Sequence, residues 1–131
     1  MKILHKICFV LLLTTFSSVY GGSCWDEIPD IDDCRVRAEQ GHYLSQTTLG
    51  ALYYEGQGVL QDYREASKWF KKSAEQGNFV AQHFLGMMYF EGKGVPQDYV
   101  MAHMYWNLAA SYGHKNAITM RGIIETNMTS S

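Results

Sequence analysis

The sequence predicts an all-α fold, a solenoid of stacked helix–turn–helix repeats, and three observations predict it. Gly41, Gly77 and Gly113 stand 36 residues apart, as do Ala38, Ala74 and Ala110, and Gly50, Gly86 and Gly122. The segment from Leu49 to Tyr63 returns almost residue for residue from Leu85 to Tyr99. Within each period an apolar helical stripe alternates with a glycine-rich turn. A fixed period of this length marks an array in which each unit buries its apolar side on its neighbour. Such arrays present a surface to a partner, so a binding face is sought before a reaction centre.

The first stretch reads as a secretory leader, residues 1–21. Lys2 and Lys6 are its positive region, Ile7 to Phe16 its apolar run, and Val19 and Gly21 its small residues before cleavage. An uncleaved anchor is the alternative, but the run is shorter than the ~20 residues needed to span a bilayer. Loss of the leader takes away Lys2, Lys6 and Cys8, leaving 9 basic side chains against 13 acidic. Residues 22–37 form an N-terminal cap segment. Its Cys24 and Cys34 are an even pair, and in an oxidising compartment a disulfide is expected between them. Two free thiols, or a lipid-modified Cys24, are the alternatives.

Two repeats follow across 38–113, about 42–77 and 78–113. First helices are expected over 43–55 and 79–91, second helices over 63–76 and 99–112. Gly56 and Gly92 follow a last helical residue, where a left-handed backbone favours glycine. Asp62 and Asp98 begin the second helices, where a carboxylate accepts from free backbone N–H groups. Asp62 and Glu65 also have capping-box spacing, which Met101 breaks in the second copy. Ala66, Trp69, Phe70 and Ser73 match Ala102, Tyr105, Trp106 and Ala109. Their spacing of three and four puts them on one face, the core between repeats. Lys68, Lys71, Lys72 and Glu75 read as a solvated side. Residues 114–131 form a C-terminal capping helix, about 116–127, and tail. Arg121 replaces Leu49 and Leu85 there, giving the polar character a terminal unit needs.

These segments resemble the Sel1-like repeat family, a relative of the tetratricopeptide repeats, over about 38–127. The marks are Ala-x-x-x-Leu-Gly-x-x-Tyr from Ala81, then Glu-Gly-x-Gly-Val-x-x-Asp-Tyr, then an alanine with an aromatic pair, with Ala-Glu-Gln-Gly before them from Ala74. The preceding copy has Ser45 for its first alanine. The resemblance implies a right-handed α/α superhelix with a concave face lined by first helices, and a scaffolding role; many bacterial members are exported. One cysteine-rich branch has a disulfide in every repeat and is linked to penicillin and cell-wall ligands. The full repeats here contain no cysteine.

A candidate binding face comes from the first helices. With Ala81, Leu85 and Met88 inward, the opposite side of helix 79–91 holds Val80, His83, Met87 and Phe90. The equivalents are Leu44, Thr47, Ala51 and Tyr54 before it, and Asn116, Thr119, Ile123 and Thr126 after it. Leu44, Tyr54, Val80, His83, Met87 and Phe90 are expected to line a shallow groove for a peptide or helix. Packing between neighbouring first helices is the competing reading.

Other chemistry finds little support. The formal net charge is −2 with no basic stripe, which argues against nucleic acid. Gly56-x-Gly58 and Gly92-x-Gly94 lack a preceding strand and a Gly-Lys-Ser/Thr, so they read as turns rather than phosphate loops. No histidine pair has metal-ligand spacing, and no cofactor is expected. No Ser-x-x-Lys exists for a β-lactamase-like reaction. The expectation is an exported, non-catalytic scaffold whose partner is a protein, a peptide or an envelope component. A cell-wall-directed or penicillin-binding activity, and a structural subunit stacking on other repeat proteins, are the alternatives.

Overall fold

The computed structural model describes Cys24 and residues 30–130; the expected leader and the other residues of 22–29 lie outside the described residues. Among the described residues there are six helices: α1 (Ile31–Glu39), α2 (Tyr43–Glu55), α3 (Tyr63–Glu75), α4 (Phe79–Glu91), α5 (Tyr99–Ser111) and α6 (Lys115–Thr129). Consecutive helices pack on one another along the series, as a solenoid requires. α2, α4 and α6 are first helices; α1, α3 and α5 are second helices. The first helices of both full repeats have the expected bounds. The second helices end one residue early, and α6 extends beyond 116–127 at both ends.

Turn chemistry recurs with the period. Gly56 (φ 71°) and Gly92 (φ 69°) close α2 and α4 in the left-handed region. Asp62 accepts from the Arg64 and Glu65 N–H groups at 2.9 and 3.0 Å, and Asp98 does the same for Val100 and Met101. The expected capping box is corrected. The Asp62 N–H donates to the Tyr53 carbonyl and the Asp98 N–H to the Tyr89 carbonyl, each at 2.9 Å. With that donor satisfied across the turn, Glu65 instead pairs with Lys68 at 3.3 Å. Met101 therefore loses no reciprocal bond, because neither repeat uses one.

The core is built from interlocking first and second helices. Phe70 and Trp106 are fully buried, each against the glycine of its own first helix. A Cβ on Gly50 would stand 2.8 Å from Phe70 Cδ1, and one on Gly86 would overlap the Trp106 indole. Gly122, the third member of the series, has nothing within 4 Å. So α6 is a first helix with no second helix against this glycine among the described residues. Ala66, Ser73, Ala102 and Ala109 are buried as expected, while Trp69 and Tyr105 are half-exposed at the edge of the layer. Lys72 is exposed but lies over the Trp69 ring at 4.4 Å, and half-buried Lys71 over Tyr89 at 5.8 Å.

Two buried glutamines tie repeats together. Gln46 Nε2 donates to the Ala38 carbonyl at 3.0 Å and Gln82 Nε2 to the Ala74 carbonyl at 3.3 Å. Each adds a side-chain donor to a carbonyl near the end of the preceding second helix, which also accepts from the Gly41 or Gly77 N–H. Cys34 occupies the place of Phe70 and Trp106, is fully buried, and is disulfide-bonded to Cys24. Closing this 10-residue separation stabilises the array's first edge by about 2–3 kcal/mol in the chain-entropy model.

Candidate binding cavity

The two sides of α4 divide as its sequence implies. Ala81, Leu85 and Met88 are fully buried against α3, whereas Val80, His83, Met87 and Phe90 are half-buried. His83, Met87 and Phe90, at spacings of four and three, form one wall of a cavity of ≈ 320 Å³. The other wall is Asn116, Thr119 and Met120 of α6, and Glu91 stands at one end. The floor is apolar: Met87 and Phe90 pack with Met120 on the cluster of Trp106, Ala117 and Ile124. Phe90 is held between Trp106 (5.6 Å between ring centres) and Tyr99 (5.4 Å). The Trp106 Nε1 donates to the His83 carbonyl at 3.2 Å, so the indole braces this wall from behind. Glu91 is paired with Lys93 at 2.7 Å, leaving the rim polar but locally neutralised.

The six residues expected to line one groove fall in three places. His83, Met87 and Phe90 come together in the α4–α6 cavity. Leu44 and Val80 meet in a second recess of ≈ 410 Å³, with Tyr43, Phe79 and the turn 76–78. Leu44 also borders a recess with Arg37, His42 and Ser45. Tyr54 belongs to neither. Its ring packs on Tyr63 (5.1 Å) and Phe84 (5.7 Å), with Lys93 over it at 5.9 Å. That contact between α2 and α4 is the competing first-helix packing. Met87 and Phe90 combine both readings, each packing on the core with one side and lining the cavity with the other.

Glu91 and Met120 were not expected at a site, and His114, at an inter-repeat turn, was not expected beside His83. Met120 stands one period after Phe84, a position already apolar in the previous copy. His114 is one period after Asn78, which caps α4 through the Ala81 N–H at 2.8 Å. His114 caps α6 likewise, Nδ1 accepting from the Ala117 N–H at 3.3 Å. Its ring lies 4.7 Å from the His83 ring. Arg121, expected to make the terminal helix polar, does not face outward alone. Its guanidinium reaches back to Asn107 Oδ1 on α5 at 3.4 Å.

Burial, and next the charge of His114, push the His83 pKa below its ordinary value. The His83 Nδ1 is buried without a hydrogen-bond partner. Between the lowered pKa and the ordinary ~6.5 the unfolded chain binds the extra proton, so stability falls as pH drops through that window. His83→Gln removes this term. Urea melts at pH 7.5 and 5.5 should therefore show a smaller loss for the variant than for the parent chain; an equal loss would assign the pH dependence to other groups.

Among the described residues no three His, Cys, Asp or Glu side chains gather as a metal site, and no helix is long and apolar enough to cross a membrane. The sequence profile of the Sel1 repeat matches residues 44–78 and 80–114. Among curated proteins no match is found. The chain is similar to the crystal structure of a protective antigen from uropathogenic Escherichia coli displaying an SLR fold, at 37% identity and TM-score 0.73 over 74% of this chain and 21% of that one. It is also similar to a Sel1 repeat protein from Oxalobacter formigenes, at 32% identity and TM-score 0.69 over 71% of this chain and 38% of that one. The chain thus spans well under half the length of either structure. With the profile covering both full repeats and the solenoid matching solved members, the chain belongs to the Sel1 repeat family.

Proposed function

We propose that this chain is an exported, non-catalytic binding protein that takes a large apolar side chain of a peptide or protein partner into the α4–α6 cavity. The carrying observation is the cavity itself: an apolar floor of Met87, Phe90 and Met120 under a rim of Asn116, Thr119 and Glu91. Methionines let such a floor adapt to more than one side chain. The Asn116 amide offers both a donor and an acceptor, the pair that a peptide backbone matches. The family's general use as an interaction scaffold supports the reading. Export is supported by the Cys24–Cys34 disulfide, since such bonds persist in oxidising compartments, and by the leader-like start of the sequence.

Thr119 is exposed at the rim, so Thr119→Trp should fill the cavity without entering the core. Peptides selected by display against the parent chain should bind this variant at least about tenfold more weakly, a loss on the scale of one buried anchor. Circular dichroism and melting temperature should stay near parental values. Undiminished binding by a folded variant would place the peptide site elsewhere.

A further inference from the structure

The outer sides of the two full second helices differ completely in chemistry. On α3, Arg64, Lys68 and Lys72 stand at spacings of four and are exposed. One period later, the same positions of α5 are Val100, Met104 and Leu108, followed by Tyr112 just past the helix end. These four are 66%, 41%, 43% and 64% exposed. From Tyr99 to Ser111, α5 contains no Asp, Glu, Lys or Arg. The repeat does not require apolar residues here, because α3 folds in the same way with charged ones. α3 and α5 are the second helices of successive repeats and are joined through Tyr89 of α4: Lys71 on α3 lies over its ring, which stacks on Tyr105 of α5 at 5.7 Å.

The occupant follows from charge and area. α3 carries four cations (Arg64, Lys68, Lys71, Lys72) against two carboxylates (Glu65, Glu75), although the whole chain has a net charge of −2. An apolar row one repeat along from a row of exposed cations is complementary to an anionic surface with an apolar interior. A second copy meeting this face with its own α3–α5 face would bring cations rather than anions. The exposed row is also only Val100, Met104, Leu108 and Tyr112, far fewer than the roughly 20–30 residues a side of a stable protein interface. A bilayer needs no such area, because shallow insertion of a few side chains adds to attraction between lysines and lipid phosphates. Tyrosine, with an apolar ring and polar tip, suits the headgroup boundary.

We propose that the outer face of α3 and α5 docks on an anionic lipid bilayer surface. Val100, Met104, Leu108 and Tyr112 enter the headgroup boundary, and Arg64, Lys68 and Lys72 lie over lipid phosphates. The contact is peripheral and leaves the α4–α6 cavity on another face, so it is independent of the peptide-binding reading.

The test uses the full chain with an environment-sensitive fluorophore at one site, and with Cys8→Ser to keep labelling specific. The label is placed at Met104→Cys, or at Ile118→Cys on α6 as the comparison; both parent side chains are similarly exposed, at 41% and 44%. Vesicles are phosphatidylcholine alone or phosphatidylcholine mixed with phosphatidylglycerol, with doxyl-labelled lipid as quencher. The 104 label should shift to the blue and be quenched on the anionic vesicles only, and the 118 label should not. Lys68→Glu with Lys72→Glu should raise the lipid concentration for half-maximal response at least about tenfold, given the attraction each lysine supplies near such a surface. Both positions are exposed, and unchanged circular dichroism would show that the double variant folds. The proposal is overturned if the 104 label does not respond, responds equally on neutral vesicles, or responds no more than the 118 label. It is overturned equally by a lipid-independent response that rises with protein concentration, which would assign the stripe to a second copy.

Discussion

Gly94→Ala is expected to remove much of the stability of the array. Gly94 has φ 69°, and a Cβ there would overlap the Tyr63 carbonyl group and approach the Arg64 nitrogen at 2.8 Å. The overlapped atoms are backbone at the start of α3, so relief means moving a helix rather than turning a side chain. Left-handed strain of ~1–2 kcal/mol for a residue with a Cβ adds to this clash. A combined loss of about 3–5 kcal/mol is a large part of the 5–15 kcal/mol typical of small domains. Gly113→Ala is the internal comparison. It has φ 78° but nothing within 4 Å of the added methyl, so it bears the conformational cost alone. Urea melts should place Gly94→Ala far below Gly113→Ala; similar midpoints would mean that the α3–turn contact is not tight.

Trp106→Ala should be comparably damaging, at about 3–5 kcal/mol for a fully buried aromatic. The indole fills the space left by Gly86, supports Phe90, and gives its N–H to the His83 carbonyl. Its removal leaves a void under the cavity wall as well as between helices. Trp69→Ala should cost only about 1 kcal/mol, because Trp69 is half-exposed with Lys72 over its ring. Thermal melts of the two variants measure the contrast, at about 4–8 °C per kcal/mol for a domain of this size. Equal shifts would contradict the interlocking of Trp106 with Gly86.

Helices and turns were legible because each local choice repeats: glycine where φ is positive, aspartate where N–H groups are free, an aromatic opposite a helix glycine. The capping box misled because spacing alone cannot reveal that the Asp62 N–H already has a partner across the turn. His83 was legible as a cavity residue from its place on α4, but its neighbour His114 lies 31 residues away in the next turn. Only the packing of α6 on α5 brings the two rings together. Leu44, Tyr54 and Val80 were on the expected side of their helices, but stacking spread them along the array instead of into one groove. The apolar row Val100, Met104 and Leu108 was hidden for another reason. α5 carries no Asp, Glu, Lys or Arg to mark which face is outside, so only its place in the stack exposes the row.

Methionine-methyl NMR of the chain bound to a display-selected peptide tests the binding assignment most directly. The account predicts that the Met87 and Met120 methyl signals shift on binding, with contacts to an apolar peptide side chain, while Met101 and Met104 on α5 stay in place. Shifts at Met101 and Met104 with Met87 and Met120 unmoved would contradict it.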